Sequence, residues 1–310
     1  MYEAFYGLRE KPFSLLPDPS FLYLGAPHSM AYAVLEYGVL NQAGFTVITG
    51  EVGSGKTVLV RHLLERVESQ ITVGLISNTA KLERDLLRWV LLAFNQDHRH
   101  RDPVTLHDIF EKFLISQYAR GDRTVLIVDE AQNLSIDSLE ELRMLSNINA
   151  DKDLLLQVVL VGQPELKHKL ECSELRQLAQ RISASYHLGV LSEHETLSYI
   201  RHRLARAGAE RPIFTDAACQ IVYGYSKGVP RLINILSDTA LVYGYAEGAR
   251  DIGARVVSDV IRDFATGIHR DRSPSSTSTD RVQATARQEV PSRFSREMAR
   301  ELFSNLRGKG

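Results

Sequence analysis

Reactive chemistry concentrates in the run Gly50-Glu51-Val52-Gly53-Ser54-Gly55-Lys56-Thr57, which fits G-x-x-x-x-G-K-[ST]. It lies between an apolar stretch, Phe45 to Ile48, and a helix-like segment, Val58 to Glu68. Phosphate oxygens carry dense negative charge and need many donors at close range. Gly50, Gly53 and Gly55 permit the backbone angles that turn successive N–H groups inward, and a helix starting near Lys56 adds the positive end of its dipole. Lys56 is expected to reach the β- and γ-phosphates of a nucleotide, and the Thr57 hydroxyl to ligate Mg²⁺. Glu51, Val52, Ser54 and Val58 complete the expected nucleotide-binding set.

A second run, Thr124-Val125-Leu126-Ile127-Val128-Asp129-Glu130, is continuously apolar and ends in two carboxylates. An apolar run of this kind predicts a central parallel strand buried on both faces. Neighbouring side chains diverge at a strand end, so the two acids take different roles. Asp129 is expected to hold Mg²⁺, directly or through water, and Glu130 to orient and deprotonate an attacking water. A third polar group, Gln163, ends the apolar run that starts at Leu154. If that strand lies beside the one ending in Asp129, the Gln163 amide faces the γ-phosphate.

These residues need a frame. The spacing predicts helices over Pro27 to Asn41, Leu82 to Phe94, Leu106 to Tyr118 and Ser135 to Leu145, and a buried strand at Ile71 to Ile76. Pro164 opens a further helix as a first-turn residue. Tyr186 to Leu191 reads as the last strand. Helices are then expected over Ser192 to Ala207, with a Ser192/Glu195 capping box, and over Thr215 to Tyr225, Pro230 to Gly244 and Ala254 to Phe264. The fold class is therefore an α/β P-loop sheet flanked by helices, followed by a small all-helical lid. The expected divisions are an arm at 1–27, an α/β domain at 28–191, a lid at 192–266 and a tail at 267–310.

The arm is dense in aromatics and prolines, which resist both helical and strand periodicity and suggest an extended segment laid over a domain. Phe13 or Tyr23 is the ring to watch for stacking on an adenine, against a reading as plain packing. The tail has a low-complexity stretch, Ser273 to Thr279, and then Phe294, Met298, Leu302, Phe303 and Leu306 at helical spacing among arginines, a basic amphipathic helix over 291–307. His98 and His100 read as solvated loop residues, without a ligand set at zinc-like spacing.

Composition excludes little. With 44% apolar and 24% charged residues the chain has ordinary globular proportions, and a net charge of -1 gives no global reason to expect nucleic-acid binding. Two cysteines, Cys172 and Cys219, stand far apart and suit a reducing compartment. The start lacks a basic and then apolar leader, and no run of about 18 apolar residues occurs. The expected location is cytoplasmic, at most peripheral to the inner membrane face.

Together, Met1-Tyr2, Phe5-Tyr6-Gly7-Leu8, Pro12-Phe13, Pro17-Asp18-Pro19, Phe21 to Leu24, Gly50 to Thr57, Val128 to Gln132 and Val161 to Leu166 resemble the AAA+ ATPases of the ExeA/GspA type, over about residues 1 to 266. The resemblance implies an ATPase with ATP and Mg²⁺ as ligands, assembled as a homo-oligomeric ring or filament. It implies a protein partner in a secretion, pilus or exopolysaccharide-export apparatus. In it Gln163 is similar to a sensor-1 position and Arg231 to sensor 2 on the lid. Arg181, with Arg176 as the competitor, is similar to an arginine finger offered to a neighbouring subunit. Similar domains serve transposition modules, so a nucleotide-dependent DNA-binding regulator is the alternative reading.

Overall fold

The computed structural model describes residues 1–67, 70–77, 79, 86–99, 102–150 and 153–268. The expected tail helix over 291–307 lies outside the described residues, as do His100 and the first residues of the helix expected from Leu82. The chain opens with α1 (Tyr2–Tyr6), and Gly7 closes it in the left-handed region at φ 71°. The arm is thus not extended throughout: Tyr2 and Tyr6 lie one turn apart and bury together, which a short helix permits.

The α/β part runs α2 (Ala26–Leu40), β1 (Phe45–Gly50), α3 (Lys56–Leu64), β2 (Ile71–Ile76), α4 (Leu86–Ala93), α5 (Pro103–Ala119), β3 (Arg123–Val128), α6 (Ile136–Leu145), a small hairpin of β4 (Asn149–Ala150) and β5 (Asp153–Leu154), β6 (Gln157–Gly162), α7 (Pro164–Leu170), α8 (Arg176–Ala179) and β7 (Ile182–Leu188). Five parallel strands form one sheet in the order β2-β3-β6-β1-β7. Alternation divides the central strands between two cores. Leu126, Val128, Val158 and Leu160 face a core shared with α4 to α8, whereas Val125, Ile127, Val159 and Val161 face one shared with α2 and α3. Each such side chain contributes about 1.5–3 kcal/mol by burial.

The last four helices are α9 (Glu193–Arg206), α10 (Asp216–Ser226), α11 (Pro230–Glu247) and α12 (Ala254–Ile268). The expected capping box opens α9, with Ser192 Oγ accepting from Glu195 N and the Glu195 carboxylate accepting from Ser192 N. These helices share a third core with the arm residues Tyr2, Tyr6, Leu8, Phe13 and Phe21. Polar bonds reinforce the union. Arg9 N donates to Ala207 O at 2.8 Å, Tyr6 Oη to Ala249 O at 3.0 Å, and Tyr2 Oη to the Asp238 carboxylate. The arm is packed as a layer of the helical part.

Candidate functional site

The sheet order explains the site. Because β6 lies between β3 and β1, the carboxyl ends of the three strands lie side by side, and Gly50, Val128 and Gly162 deliver the phosphate loop, the acidic pair and Gln163 to one crevice. Ligands in open α/β sheets bind at such crevices. The placement of Gln163 beside the acidic strand end was conditional on β6 pairing with β3, and that pairing is present, Val128 standing opposite Leu160.

Within the loop, Gly53 (φ 79°) and Gly55 (φ 102°) occupy the left-handed region, where any other residue is strained. A Cβ on Gly50 would come within 2.7 Å of Leu188 O, and one on Gly53 within 2.5 Å of Arg231 Cβ. Lys56 Nζ donates to the carbonyls of Gly50, at 2.7 Å, and Glu51, at 2.8 Å. The ammonium is held inside the loop by weak neutral acceptors that a phosphate oxygen can displace. Burial pulls its pKa below the ordinary lysine range, while the Glu130 and Asp129 carboxylates act the other way. Ser54 is fully buried with no partner on its Oγ. Val52 and Val58 line the cleft, while the exposed Glu51 takes part through its carbonyl.

The metal-ligand pair expected from sequence is in contact, with Thr57 Oγ1 donating to Asp129 Oδ2 at 2.7 Å. Two hard oxygen donors on one side of a phosphate cradle suit Mg²⁺, which prefers oxygen and keeps several waters. Glu130 follows on the turn after β3, at φ 57° and ψ 33°. Its carboxylate accepts from Gln163 Nε2 at 3.3 Å and from Gln132 Nε2.

From the lid, Arg231 N donates to Gly53 O at 3.1 Å, and the Arg231 side chain lines the same cleft, of about 220 Å³. The arm closes it with Leu15, Pro17 and Tyr23. Of the two rings considered for stacking, Phe13 is 1% exposed and packs edge-on against Phe214 at 6.0 Å, so neither face is open to a ligand. Tyr23 does line the cleft. Arg181 lies elsewhere, at the opposite end of the sheet just before β7, with Nη1 on Ser146 Oγ at 3.0 Å. Arg176 is exposed on α8. Neither lines the chain's own cleft.

Two contributors carry no sequence signal of their own. His28, at the start of α2, is buried and bonds Ser54 O through Nε2 at 2.8 Å, bracing the loop from behind. Arg203 on α9 is 7% exposed, with its guanidinium 4.9 Å from the Phe21 ring centroid and bonds to Pro12 O (2.5 Å) and Tyr199 Oη (2.9 Å).

A phosphate cradle, an acidic strand end and an attached helical lid define the AAA+ class of P-loop proteins, and residues 39–170 match the family described as AAA domain. The resemblance to the ExeA/GspA type holds within it: the chain is 44% identical over 253 residues to General secretion pathway protein A of Aeromonas hydrophila, across 81% of this chain and 46% of that protein. The chain thus spans about half the length of that relative. Solved structures share the fold at low identity. The Aeropyrum pernix ORC2 protein in its ADPNP-ADP complexes superposes with a TM-score of 0.63 at 17% identity, over 82% of this chain and 71% of that one. Cdc6p from Pyrobaculum aerophilum does so at 0.59 and 16%, over 78% and 67%.

Proposed function

We propose that the chain binds ATP in this cleft, hydrolyses it, and uses the cycle to power or switch assembly of a bacterial secretion, pilus or exopolysaccharide-export apparatus from the cytoplasmic side. The observation that carries the chemical part is the contact of Thr57 with Asp129 directly before Glu130, on strand ends that face the phosphate cradle. The pathway rests on the likeness to a general secretion protein.

In this reading the loop N–H groups and Lys56 bind the phosphates, Lys56 leaving the Gly50 and Glu51 carbonyls to do so. Thr57 and Asp129 would hold Mg²⁺, which when bound neutralises charge on the β- and γ-phosphate oxygens. Glu130 takes a proton from a water as its oxygen bonds to the γ-phosphorus, the bond to the β–γ bridging oxygen breaks, and ADP leaves with the electron pair. Gln163 contacts the γ-phosphate and Arg231 reports its presence to the lid. Residues 28–191 are then the nucleotide-binding unit, 192–266 with the arm 1–27 the moving one, and 267–310 a tail for partners. Arg181 or Arg176 meets the γ-phosphate of a neighbouring copy in a ring or filament, where a rigid guanidinium offsets developing charge.

The test is ATP turnover per chain at rising protein concentration, with and without double-stranded DNA, beside Lys56→Ala. Turnover that rises with concentration and vanishes in Lys56→Ala supports the assembled ATPase, and turnover at wild-type level in Lys56→Ala contradicts it. Strict dependence on DNA instead moves the chain to the transposition-type regulators.

A further inference from the structure

We infer that Gln132 is a positioning residue for hydrolysis: its side-chain amide ties the Glu130 carboxylate to the end of β6, so that the base and the Gln163 sensor move as one unit. The inference rests on the reading of Glu130 as the base.

Glu130 needs holding. Its left-handed backbone is one of the few such non-glycine conformations in the described chain, at a cost of order 1–3 kcal/mol. Thr79 Oγ1 donates to Glu130 O at 2.8 Å, Asn133 Nδ2 donates to Thr79 Oγ1 at 3.2 Å, and Glu130 N donates to Asp129 Oδ1 at 2.9 Å. These bonds fix the peptide but leave the carboxylate to turn about its own torsions. Two amides restrain it: Gln163 Nε2 donates to Glu130 Oε2 at 3.3 Å, and Gln132 adds the closer bond, its Nε2 donating to the same Oε2 while its Oε1 accepts from Gln163 N at 3.0 Å.

The chemistry at both ends sets the residue type. A carboxylate requires a donor and a backbone N–H requires an acceptor, so the orientation of the amide is dictated by its partners. A glutamate here can serve the N–H but offers the carboxylate a like charge. An apolar residue serves neither. The support extends outward: Gln132 is 9% exposed, and Lys169 Nζ from α7 donates to the carbonyls of Gln132, at 2.6 Å, and Leu134, at 2.8 Å. Gly162 keeps the space open, since a Cβ there would lie 3.0 Å from Gln132 Oε1. A shift of Gln163 as it meets a γ-phosphate therefore reaches the group that handles the water by two routes, its own long amide contact and the closer bridge through Gln132.

The experiment measures kcat and KM for ATP, the Kd of a fluorescent ADP analogue, and Tm, for Gln132→Met and Gln132→Glu. Each substitution is also placed in the Glu130→Gln chain, whose residual hydrolysis is followed in single turnover. The expected result is a loss in kcat of about tenfold to a hundredfold, the scale of a misplaced catalytic group. The analogue's Kd should hold within about twofold, and Gln132→Met should cause no further loss once Glu130 is gone, because residues acting as one unit are not additive. Full kcat in Gln132→Met beside an inactive Glu130→Gln overturns this inference alone, as does an equal further loss in the Glu130→Gln chain. Wild-type turnover in Glu130→Gln removes the reading of the base and this inference with it.

Discussion

His28 shows how a single side chain ties nucleotide chemistry to stability. Its ring braces the phosphate loop at Ser54 O, and its Nδ1 has no partner. Burial lowers its pKa below the ordinary 6.5, although the bond to Ser54 and the Glu195 carboxylate pull upward. The folded chain therefore binds this proton more weakly than the unfolded chain. Stability is full above pH 6.5 and declines as the pH falls below it, by about 1.4 kcal/mol for each tenfold difference in proton affinity. His62 and His202 are shifted in the same direction and add to the decline. Thermal unfolding between pH 7.5 and 5 should thus show a falling Tm in the wild type and a shallower fall in His28→Gln; parallel curves would refute the assignment. Sequence could not expose this residue, because a histidine in an apolar helix start looks the same whether or not a loop carbonyl lies behind it. Gln132 stood inside a recognised motif, yet its task appears only when β6 lies beside β3.

At the scale of elements, the longer described helices and the strands β1, β2, β3 and β6 were legible because strong periodicity or an unbroken apolar run marks them, whereas the short α1 and α8 were not. Strand limits were less so. The run from Leu154 to Gln163 was one strand by composition, but Asp153–Leu154 pairs with Asn149–Ala150 and β6 starts only at Gln157. The last strand was expected at Tyr186 to Leu191 and occupies Ile182–Leu188. As an edge strand it alternates partly buried and exposed residues, Ser183 and Ser185 facing outward, so no apolar run betrays it. The arm and α9 meet at Arg203, whose partners are carbonyls and ring faces. Arg203→Met keeps the stem's bulk but removes these bonds, each worth about 1.5–3 kcal/mol to a charged donor. It should destabilise the chain by at least about 2 kcal/mol in denaturant melts. Tryptic cleavage after Arg9 should also become faster, and an arm that stays protected would count against the role of this contact.

For the whole molecule, the arm is the link that composition did not disclose. It is packed into the helical core, yet Pro17 O accepts from Arg61 Nη1 on α3 at 2.7 Å, one turn after the phosphate loop. The arm therefore crosses the cleft from the lid side to the loop side, and Arg231 N meets Gly53 O by a separate route. The phosphate loop and the helix that follows it thus touch the helical body and its arm at two places. Among the described residues no helix is long and apolar enough to cross a membrane. The parallel sheet, the lid and the strand-end residues that meet at the crevice were legible because each rests on a local pattern; the bonds of Pro17 and Arg203 that hold the arm across the cleft were not, since they join residues far apart in sequence.

The proposed hydrolysis depends on Glu130 as the group that activates water. The most direct measurement is single-turnover hydrolysis of bound radiolabelled ATP by the wild type and by Glu130→Gln, with ATP affinity determined on the same samples. A hundredfold or greater loss of hydrolysis, of the order a general base contributes, with affinity kept within a few-fold, is the predicted result. Equal hydrolysis by the two proteins would contradict the account.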